Sequence, residues 1–489
     1  MKTSKNTQIS ILERDDHRVQ PGHTEPAAQS FVEFLGGPMG RFAAVGRARV
    51  LTPQRSLIIT ALLFLGTGFF TKANCMVGQR VEWGVQLDWS GRRQYLSACY
   101  NDIVPLYGAE GLDQGAIPYF YSWVEDGIVR FMEYPVLAGL FQWVNATLTR
   151  YSYPLLDRIA SGHTLPEAGL YFIITALALT TFWIAAVVMV RELTGNRVWD
   201  TVLMAASPLV SVHAFTNFDT PSIALAVAAM LAVKRGKLWR AGVWIGLGCA
   251  FKLWPVFLLG AYLALALRYR RLGAWLRMLA AATLAWLVVN VPLIVLAPAG
   301  WAEFFRLNQR RSWEGTTVYA VVSRITGWQG FDAPGSSAIL NAVSLALFVF
   351  CCVLVLYVGL KSPKQPRVAE LAMLIVVAFL MTNKVWSPQY SLWLVPLVVL
   401  AIPRWRLVWC WMCAEAAVWP ILMWHMLGLE DKGINHELLD AVILIRGGLL
   451  LTLTVLVLRQ LWHRSADPVL EAHGGQDPLA GPFTPRSSN

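Results

Sequence analysis

The chain has 489 residues, of which 56% are hydrophobic and only 15% are charged, whereas soluble globular domains carry roughly 25% charged residues. This composition excludes an ordinary soluble enzyme, a disordered protein and a fibrous protein. The formal net charge of +11 does not indicate a nucleic-acid partner, because membrane proteins collect Lys and Arg on their cytoplasmic loops.

The two ends of the chain are polar. The first 55 residues contain no apolar run of signal-peptide length near Met1, which predicts a cytoplasmic, disordered arm over 1–55 and no cleavable signal. The first apolar run, 56–70, is expected to enter the membrane with its amino end inside. A polytopic membrane domain is predicted over 56–460. The tail 461–489, rich in Pro, Gly, Ser and Asp, is predicted to be disordered and cytoplasmic.

A long amphipathic stretch, 71–167, follows the first apolar run. Its seven basic and ten acidic residues reverse the charge balance of the chain, so we predict a long first extracytoplasmic loop that carries interfacial helices. Its apolar part, 134–148, is too short to span a bilayer and predicts an interfacial or re-entrant helix. Cys75 and Cys99 both lie in this loop and are candidates for a disulfide in an oxidising compartment.

Further apolar runs alternate with basic clusters through the rest of the chain. These runs are 168–190, 198–215, 221–233, 240–251, 254–267, 278–297, 337–360, 368–382, 389–402, 406–424 and 441–458. With about twelve transmembrane helices, in a range of about ten to thirteen, every basic cluster falls inside. The sequence therefore predicts an all-α polytopic protein of the cell membrane with both termini cytoplasmic. The unusual polar residues then face outward.

Two carboxylates near the predicted outer boundary are candidates for chemistry. Asp102 lies in YNDIVPLY, flanked by aromatics, where a general base can take a proton from an attacking hydroxyl. The alternative is that Asp102 caps a short helix. Asp219 lies in NFDTPSIAL just before Pro221, a pattern typical of a helix start. A second role at the site stays open for Asp219, because His213 and Asn217 lie nearby.

Four cations are predicted on the same outer side. Lys252 interrupts an apolar stretch, and an ionisable residue in such a break is a functional candidate that can hold a lipid phosphate. The alternative for Lys252 is snorkelling to the interface. Arg310 and Arg311 lie on an outer loop, against the positive-inside trend. Lys384 precedes a Trp and a Pro break. All four are predicted to bind an anion.

Three other polar residues lie in or beside apolar runs. Glu415 and Arg446 need partners or water, and one interpretation is that they pair with each other. His425 either reaches the site or caps the end of its helix. No metal-ligand spacing, nucleotide-binding loop or metalloprotease motif occurs in the sequence. We therefore predict no metal and no cofactor.

The order of these motifs resembles glycosyltransferase family 87 of the GT-C superfamily, whose best-known members are actinobacterial polyprenol-phosphate-mannose-dependent mannosyltransferases. The resemblance covers most of 56–460. It is carried by YNDIVPLY, GAIPY, FMEYPVLAGL, NFDTPSIAL, AGVWIGLGCAFKLWPVFLL and SPQYSLWLVPL. It implies a GT-C-like fold, a polyprenyl-phosphate sugar donor, transfer at the extracytoplasmic face and an essential acid in the first external loop. Asp102 occupies the position that matches this acid.

The expected function is transfer of a sugar, mannose, from a polyprenyl-phosphate carrier to a cell-envelope glycolipid or polysaccharide. Asp102 is the predicted base, and Lys252, Arg310, Arg311 and Lys384 are predicted to hold the donor phosphate. The predicted substrate contacts are Asp219, Glu133, Tyr134, Tyr107, Trp386, Gln389, Tyr390 and His425. The alternatives are arabinose as the sugar, a lipid or sugar transporter of the cell envelope, and a non-catalytic assembly partner.

Overall fold

The computed structural model describes residues 52–82, 84–160, 162–333 and 336–484, and its regular structure is almost entirely α-helical. The predicted N-terminal arm lies outside the described residues, apart from 52–55. The described chain therefore confirms the all-α polytopic prediction.

The helices differ widely in length. In chain order they are α1 (Pro53–Lys72), α2 (Arg93–Leu96), α3 (Ile103–Ala109), α4 (Val136–Ile159), α5 (Glu167–Leu193), α6 (Val202–Ala205), α7 (Pro208–His213), α8 (Thr220–Lys234), α9 (Leu238–Phe251), α10 (Phe257–Arg268), α11 (Leu272–Leu296), α12 (Pro298–Arg310), α13 (Val318–Thr326), α14 (Ala338–Lys361), α15 (Val368–Thr382), α16 (Leu394–Ala401), α17 (Trp405–Leu427), α18 (His436–Leu461) and α19 (Pro468–Ala472). Two small antiparallel hairpins pair β1 (Gly78–Val81) with β2 (Gly84–Leu87) and β3 (Trp123–Glu125) with β4 (Ile128–Arg130).

Six of the described helices are long and apolar enough to cross a membrane. They contain α1, α5, α11, α14, α17 and α18. Five shorter apolar helices, of 10–17 residues, are Thr220–Lys234, Leu238–Phe251, Trp254–Arg268, Val368–Thr382 and Pro388–Ala401. The predicted apolar run 198–215 is divided between a 3-10 turn, α6 and α7. The span count of about twelve stays a prediction, because the six long helices alone meet the usual spanning length.

Local sequence explains where several helices begin. The Thr52 hydroxyl accepts a hydrogen bond from the Arg55 amide at 3.3 Å, and Pro53 occupies the first turn. Ser207 and Pro208 repeat this arrangement at α7, where the Ser207 hydroxyl accepts from the Val210 amide at 3.4 Å. A short polar side chain followed by Pro is a strong helix start, because Pro removes a backbone donor that the first turn cannot satisfy.

The long loop after α1 is more structured than the sequence predicted. The helix expected over 134–148 is 24 residues long and runs from Val136 to Ile159. It continues beyond the apolar run and packs on α5, and tertiary contacts of this kind extend a helix past its apolar stretch. Cys75 and Cys99 are joined by a disulfide, as the sequence suggested. The disulfide ties the end of α1 to the segment that leads into α3.

The tail after α18 differs from the predicted disorder, because it folds against one end of the helix bundle as far as Thr484. Asp467 caps α19 and forms ion pairs with Lys364 at 3.0 Å and with Arg367 at 3.3 Å. The Phe483 ring packs on Tyr262 with centroids 5.1 Å apart and is buried. The polar composition of this segment was a poor guide, because a few apolar and acidic residues anchor it as far as Thr484.

Candidate active site

Several helix ends meet at the other end of the bundle. Asp102 immediately precedes α3, Asp219 immediately precedes α8, and Lys252 follows the last residue of α9. A 3-10 turn at Pro388–Trp393 adds a fourth chain break close by. Breaks of this kind expose backbone and side-chain polar groups within an apolar bundle, and such irregular backbone is found where a cavity or a site is formed.

Asn217 links the three charged side chains. Its amide nitrogen donates to the Asp102 carboxylate at 2.6 Å and to the Tyr134 hydroxyl at 2.8 Å. Its amide oxygen accepts from the Lys252 ammonium at 3.1 Å. Lys252 in turn pairs with the Asp219 carboxylate at 3.1 Å. One amide therefore joins two carboxylates and a cation into a continuous chain of contacts.

Asp102 is not the side-chain cap of its helix. The neighbouring Asn101 does this, because its side-chain oxygen accepts from the Val104 amide at 3.0 Å. The Asp102 amide donates to the Thr216 carbonyl at 2.8 Å, which turns the carboxylate toward Asn217. Burial raises the pKa of Asp102, while the Asn217 hydrogen bond and the Lys252 charge oppose that rise. The carboxylate therefore does not cap α3 and instead accepts a hydrogen bond from Asn217.

Asp219 also makes no side-chain cap, so the structure does not support the interpretation of Asp219 as only a helix cap. Its carboxylate pairs with Lys252 and accepts a hydrogen bond from the Trp393 indole at 2.8 Å. The Lys252 ammonium lies 5.6 Å from the ring centroids of both Tyr134 and Tyr390. Lys252 is held inward by these partners, which excludes the snorkelling alternative.

A second group of polar side chains belongs to two loops near the residues that Asn217 joins. The Lys384 ammonium donates to the Arg311 carbonyl, and the Glu314 amide donates to the Lys384 carbonyl at 2.9 Å. The Ser387 hydroxyl donates to the Glu314 carboxylate at 2.5 Å. These reciprocal bonds fasten segment 311–317 onto loop 383–387. Burial and the nearby Arg311 lower the pKa of Lys384 to about 8.

The charges of the two groups reach each other. Burial raises the pKa of Glu133. The Arg311 guanidinium opposes this rise, and the Asp102 carboxylate adds to it. The same two charges act on Glu314, whose pKa is also raised mainly by burial. Asp102, Glu133, Glu314 and Arg311 therefore belong to one electrostatic cluster.

Arg446 and Glu415 pair with each other at 3.4 Å and are fully buried, which agrees with the interpretation that each serves as the partner of the other. The Arg446 guanidinium lies 3.8 Å from the centroid of the Trp386 ring and donates to the Thr316 carbonyl at 2.5 Å. The Trp386 carbonyl accepts from the Thr316 hydroxyl at 2.8 Å. Trp386 is fully buried under Arg446, so it supports the loops behind the site rather than lining an open surface.

Three predicted site residues lie apart from the cluster. The Tyr107 hydroxyl donates to Glu167 at 2.8 Å, and its ring stacks on Tyr171. His425 contacts the Ile434 carbonyl at 3.3 Å and so fastens the end of α17. Arg310 is exposed at the end of α12, and its carbonyl accepts from the Ser337 hydroxyl at 3.1 Å. Of the other predicted contacts, Tyr390 stacks on Trp393 at 4.4 Å and Gln389 is buried beside it.

Sequence reasoning missed several members of the cluster. Lys72, the last residue of α1, is buried, donates to the Tyr100 carbonyl at 2.9 Å and lies 4.5 Å from the Trp419 ring centroid. Glu314 and Trp393 were not singled out either. A charged residue closing an apolar run was a usable signal for Lys72. Nothing local distinguished Glu314 or Trp393, since their partners are distant in the sequence.

Comparison with known proteins identifies the family. The profile of glycosyltransferase family 87 matches residues 134–388, just over half of the chain. The chain belongs to glycosyltransferase family 87. The membership confirms the resemblance to this family noted in the sequence and makes the protein a glycosyltransferase with helices that can cross a membrane. The matched residues include Asp219, Lys252 and Lys384, whereas Asp102 precedes them.

A solved structure resembles the chain weakly. ArnT from Cupriavidus metallidurans, bound to undecaprenyl phosphate, is 14% identical over 84% of this chain and 78% of that chain, with a TM-score of 0.40. This likeness carries no part of the assignment, which follows from the family match. A search of curated proteins found no match.

The cluster offers a base and cations without a metal site. In the part of the chain that the structure describes, no three His, Cys, Asp or Glu residues are grouped to hold a metal ion. Metal independence stays a prediction. The residues present include a partly buried carboxylate that can accept one proton, and Lys384 and Arg311 can counter negative charge.

Proposed function

We propose that the protein transfers a sugar, mannose, from a polyprenyl-phosphate carrier to a cell-envelope glycolipid or polysaccharide at the extracytoplasmic face. The observation that carries this proposal is the Asn217 amide that holds the Asp102 carboxylate at 2.6 Å and the Lys252 ammonium at 3.1 Å. A partly buried, oriented carboxylate beside a cluster of cations suits sugar transfer from a phosphate leaving group.

The reaction is a single displacement at the anomeric carbon. An acceptor hydroxyl gives its proton to Asp102 while its oxygen attacks, and the bond between the anomeric carbon and the phosphate oxygen breaks. The lipid phosphate leaves with the bonding electron pair, and the anomeric configuration inverts. Because burial raises the pKa of Asp102, this carboxylate is a stronger base than a solvated one, as base catalysis near neutral pH requires.

The cations differ in whether a carboxylate already neutralises their charge. Lys252 is ion-paired with Asp219, so its charge is already countered. Lys384 and Arg311 form no ion pair with any residue in the described ranges, and Lys384 contacts only a backbone carbonyl. Lys384 and Arg311 therefore have charge left for the donor phosphate. Lys252 instead fixes Asn217 and, through it, Asp102.

Two features support an extracytoplasmic site. The disulfide between Cys75 and Cys99 lies in the loop that ends at Asp102, and disulfides persist in oxidising compartments. The opposite end of the bundle carries Arg235, Lys364 and Arg367, as cytoplasmic loops do. Nucleotide sugars are not available outside the cell membrane, so a transferase there needs a sugar that a lipid carries.

A crevice beside the cluster suits a lipid-linked substrate. Its aromatic walls come from Tyr119 and Tyr134 on one side and from Trp286, Trp301 and Phe305 of α11 and α12 on the other. The Tyr134 hydroxyl at this crevice accepts a hydrogen bond from the same Asn217 amide that holds Asp102. A prenyl chain lying there would leave its phosphate next to the cluster.

The transporter alternative has less support. A transport path requires polar residues distributed through the membrane along one cavity, whereas Lys252 lies at one end of the bundle with Asp102. Arg446 and Glu415 are fully buried against each other. Mannose is preferred over arabinose only on the resemblance to the mannosyltransferases of the family.

The test is a transfer assay with purified protein, radiolabelled polyprenyl-phosphate mannose and an acceptor extract from the cell envelope. Asp102→Asn should lower turnover about 100- to 10,000-fold, the usual contribution of a positioned base. Asp113→Asn, the same change in the same loop, should have little effect, because Asp113 is half-buried and only bonds the next amide. Near-normal turnover of Asp102→Asn would remove Asp102 from the role of base.

A further inference from the structure

Glu314 lies where the two groups of the site meet. It sits between α12 and α13, on the segment fastened to loop 383–387. Its backbone amide donates to the Lys384 carbonyl at 2.9 Å. Its carboxyl group is close enough to Asp102 and Arg311 to sense both charges. Glu314 is therefore fastened to the loop that carries Lys384, and its carboxyl group is within electrostatic range of Asp102.

One carboxylate oxygen of Glu314 has a partner and the other has none. Oε1 accepts the Ser387 hydroxyl at 2.5 Å. Oε2 is buried and accepts no hydrogen bond from any residue in the described ranges. A buried acceptor without a donor is uncommon in proteins and needs a reason. A bound molecule that brings its own donors would supply one.

The chemistry of the proposed reaction places the donor sugar at this position. The anomeric carbon must lie between the phosphate, held by Lys384 and Arg311, and the acceptor hydroxyl, which gives its proton to Asp102. The sugar ring attached to that carbon must then lie near Glu314. Sugar hydroxyls are hydrogen-bond donors, which is what a carboxylate oxygen accepts.

We propose that Glu314 binds the donor sugar through its hydroxyl groups and determines which sugar is transferred. This inference rests on the proposed function. Ser387 is its positioning residue, because the Ser387 hydroxyl fixes Oε1 and so orients Oε2. The remaining contacts of Glu314 hold the segment: its carbonyl accepts from the Thr317 amide at 3.1 Å and the Thr317 hydroxyl at 2.7 Å.

The experiment combines enzyme variants with altered donors. Wild type and Glu314→Gln are assayed with polyprenyl-phosphate mannose and with its 2-, 3-, 4- and 6-deoxy analogues. In the wild type, at least one deoxy donor should lose about 10- to 100-fold in kcat/KM, since a polar site penalises a ligand that lacks its hydroxyl. In Glu314→Gln the same analogue and the parent donor should differ by less than about 3-fold, because the two changes remove one contact.

Two further variants keep the result interpretable. Glu303→Gln alters a buried carboxyl of the neighbouring helix α12, paired with Arg306 and Arg130, and should change the activity on all donors by the same factor. Ser387→Ala should weaken discrimination of the same analogue, and it carries the test if Glu314→Gln does not fold.

The possible outcomes separate the two proposals. Equal penalties for the deoxy donors in wild type, Glu314→Gln and Ser387→Ala would overturn the role of Glu314 and leave the proposed function standing. A wild-type enzyme that transfers no sugar from any polyprenyl phosphate, with activity from another donor class, would overturn both.

Discussion

The Asn217 amide donates to the Asp102 carboxylate at 2.6 Å across 115 residues of sequence. The same side chain accepts from Lys252, so its orientation is fixed on both sides. Asn217 therefore presents a donor to the Asp102 carboxylate, which orients that carboxylate and opposes the larger effect of burial on its pKa.

The first prediction concerns Asn217 itself. Its hydrogen bond lowers the pKa of Asp102 against the effect of burial. Asn217→Ala should raise that pKa, so Asp102 stays protonated up to a higher pH. The acid limb of the plot of kcat/KM against pH should therefore shift to higher pH. Turnover at the optimum should fall about 100-fold, because the base also loses its position. An acid limb that stays in place would contradict the contact's role.

The ion pair between Lys252 and Asp219 gives the second prediction. Lys252→Met leaves the Asp219 carboxylate buried without its cation, which should cost about 3–5 kcal/mol of stability. Adding Asp219→Asn removes the orphaned charge and should restore most of the Tm, measured by thermal unfolding in detergent. The double variant should stay inactive, because Asn217 has lost its second anchor. If the double variant is less stable than Lys252→Met, the broken ion pair is not the cause of the lost stability.

The third prediction uses the pH dependence of Lys384. Its pKa is lowered to about 8, so the ammonium is charged below that pH and loses its charge as the pH rises through 8. If Lys384 holds the donor phosphate, kcat/KM for the donor should fall above about pH 8. Lys384→Arg keeps the charge over the whole range, because the guanidinium does not titrate there. The fall of kcat/KM above about pH 8 should be absent in Lys384→Arg. If the fall persists unchanged in this variant, a group other than Lys384 causes it.

The folded tail gives the fourth prediction. Truncation after Arg464 removes Asp467 and leaves the buried Arg367 with one carboxylate fewer. The loss should lower stability by about 3–5 kcal/mol, together with the loss of the packed Phe483. Truncation after Thr484 keeps every described tail contact and serves as the control. Equal Tm values for the two truncations would contradict the anchoring role of the tail.

Parts of this site could be predicted from the sequence. Lys252 interrupts an apolar stretch, which identified it without any partner being known, and Arg446 and Glu415 were expected to pair because each needed a countercharge. Asp102 and Asp219 were recognised as candidates but also as helix caps. The cap alternative failed because Asn101 satisfies the first turn of α3 and because the Asp219 carboxylate is drawn to Lys252 and Trp393.

The sequence by itself determined that the chain is a polytopic helical protein, which family it belongs to, and where its apolar runs break. The helical class and the breaks follow from composition and local order, because spanning segments need about 20 apolar residues wherever they pack. The family follows from the motifs and their order along the chain. Only the tertiary structure decided that Asn217 joins Asp102 to Lys252, that one carboxylate oxygen of Glu314 has no hydrogen-bond partner among the described residues, and that the tail folds as far as Thr484. Each depends on which helix ends meet, and helix packing is set by contacts between residues far apart in the chain.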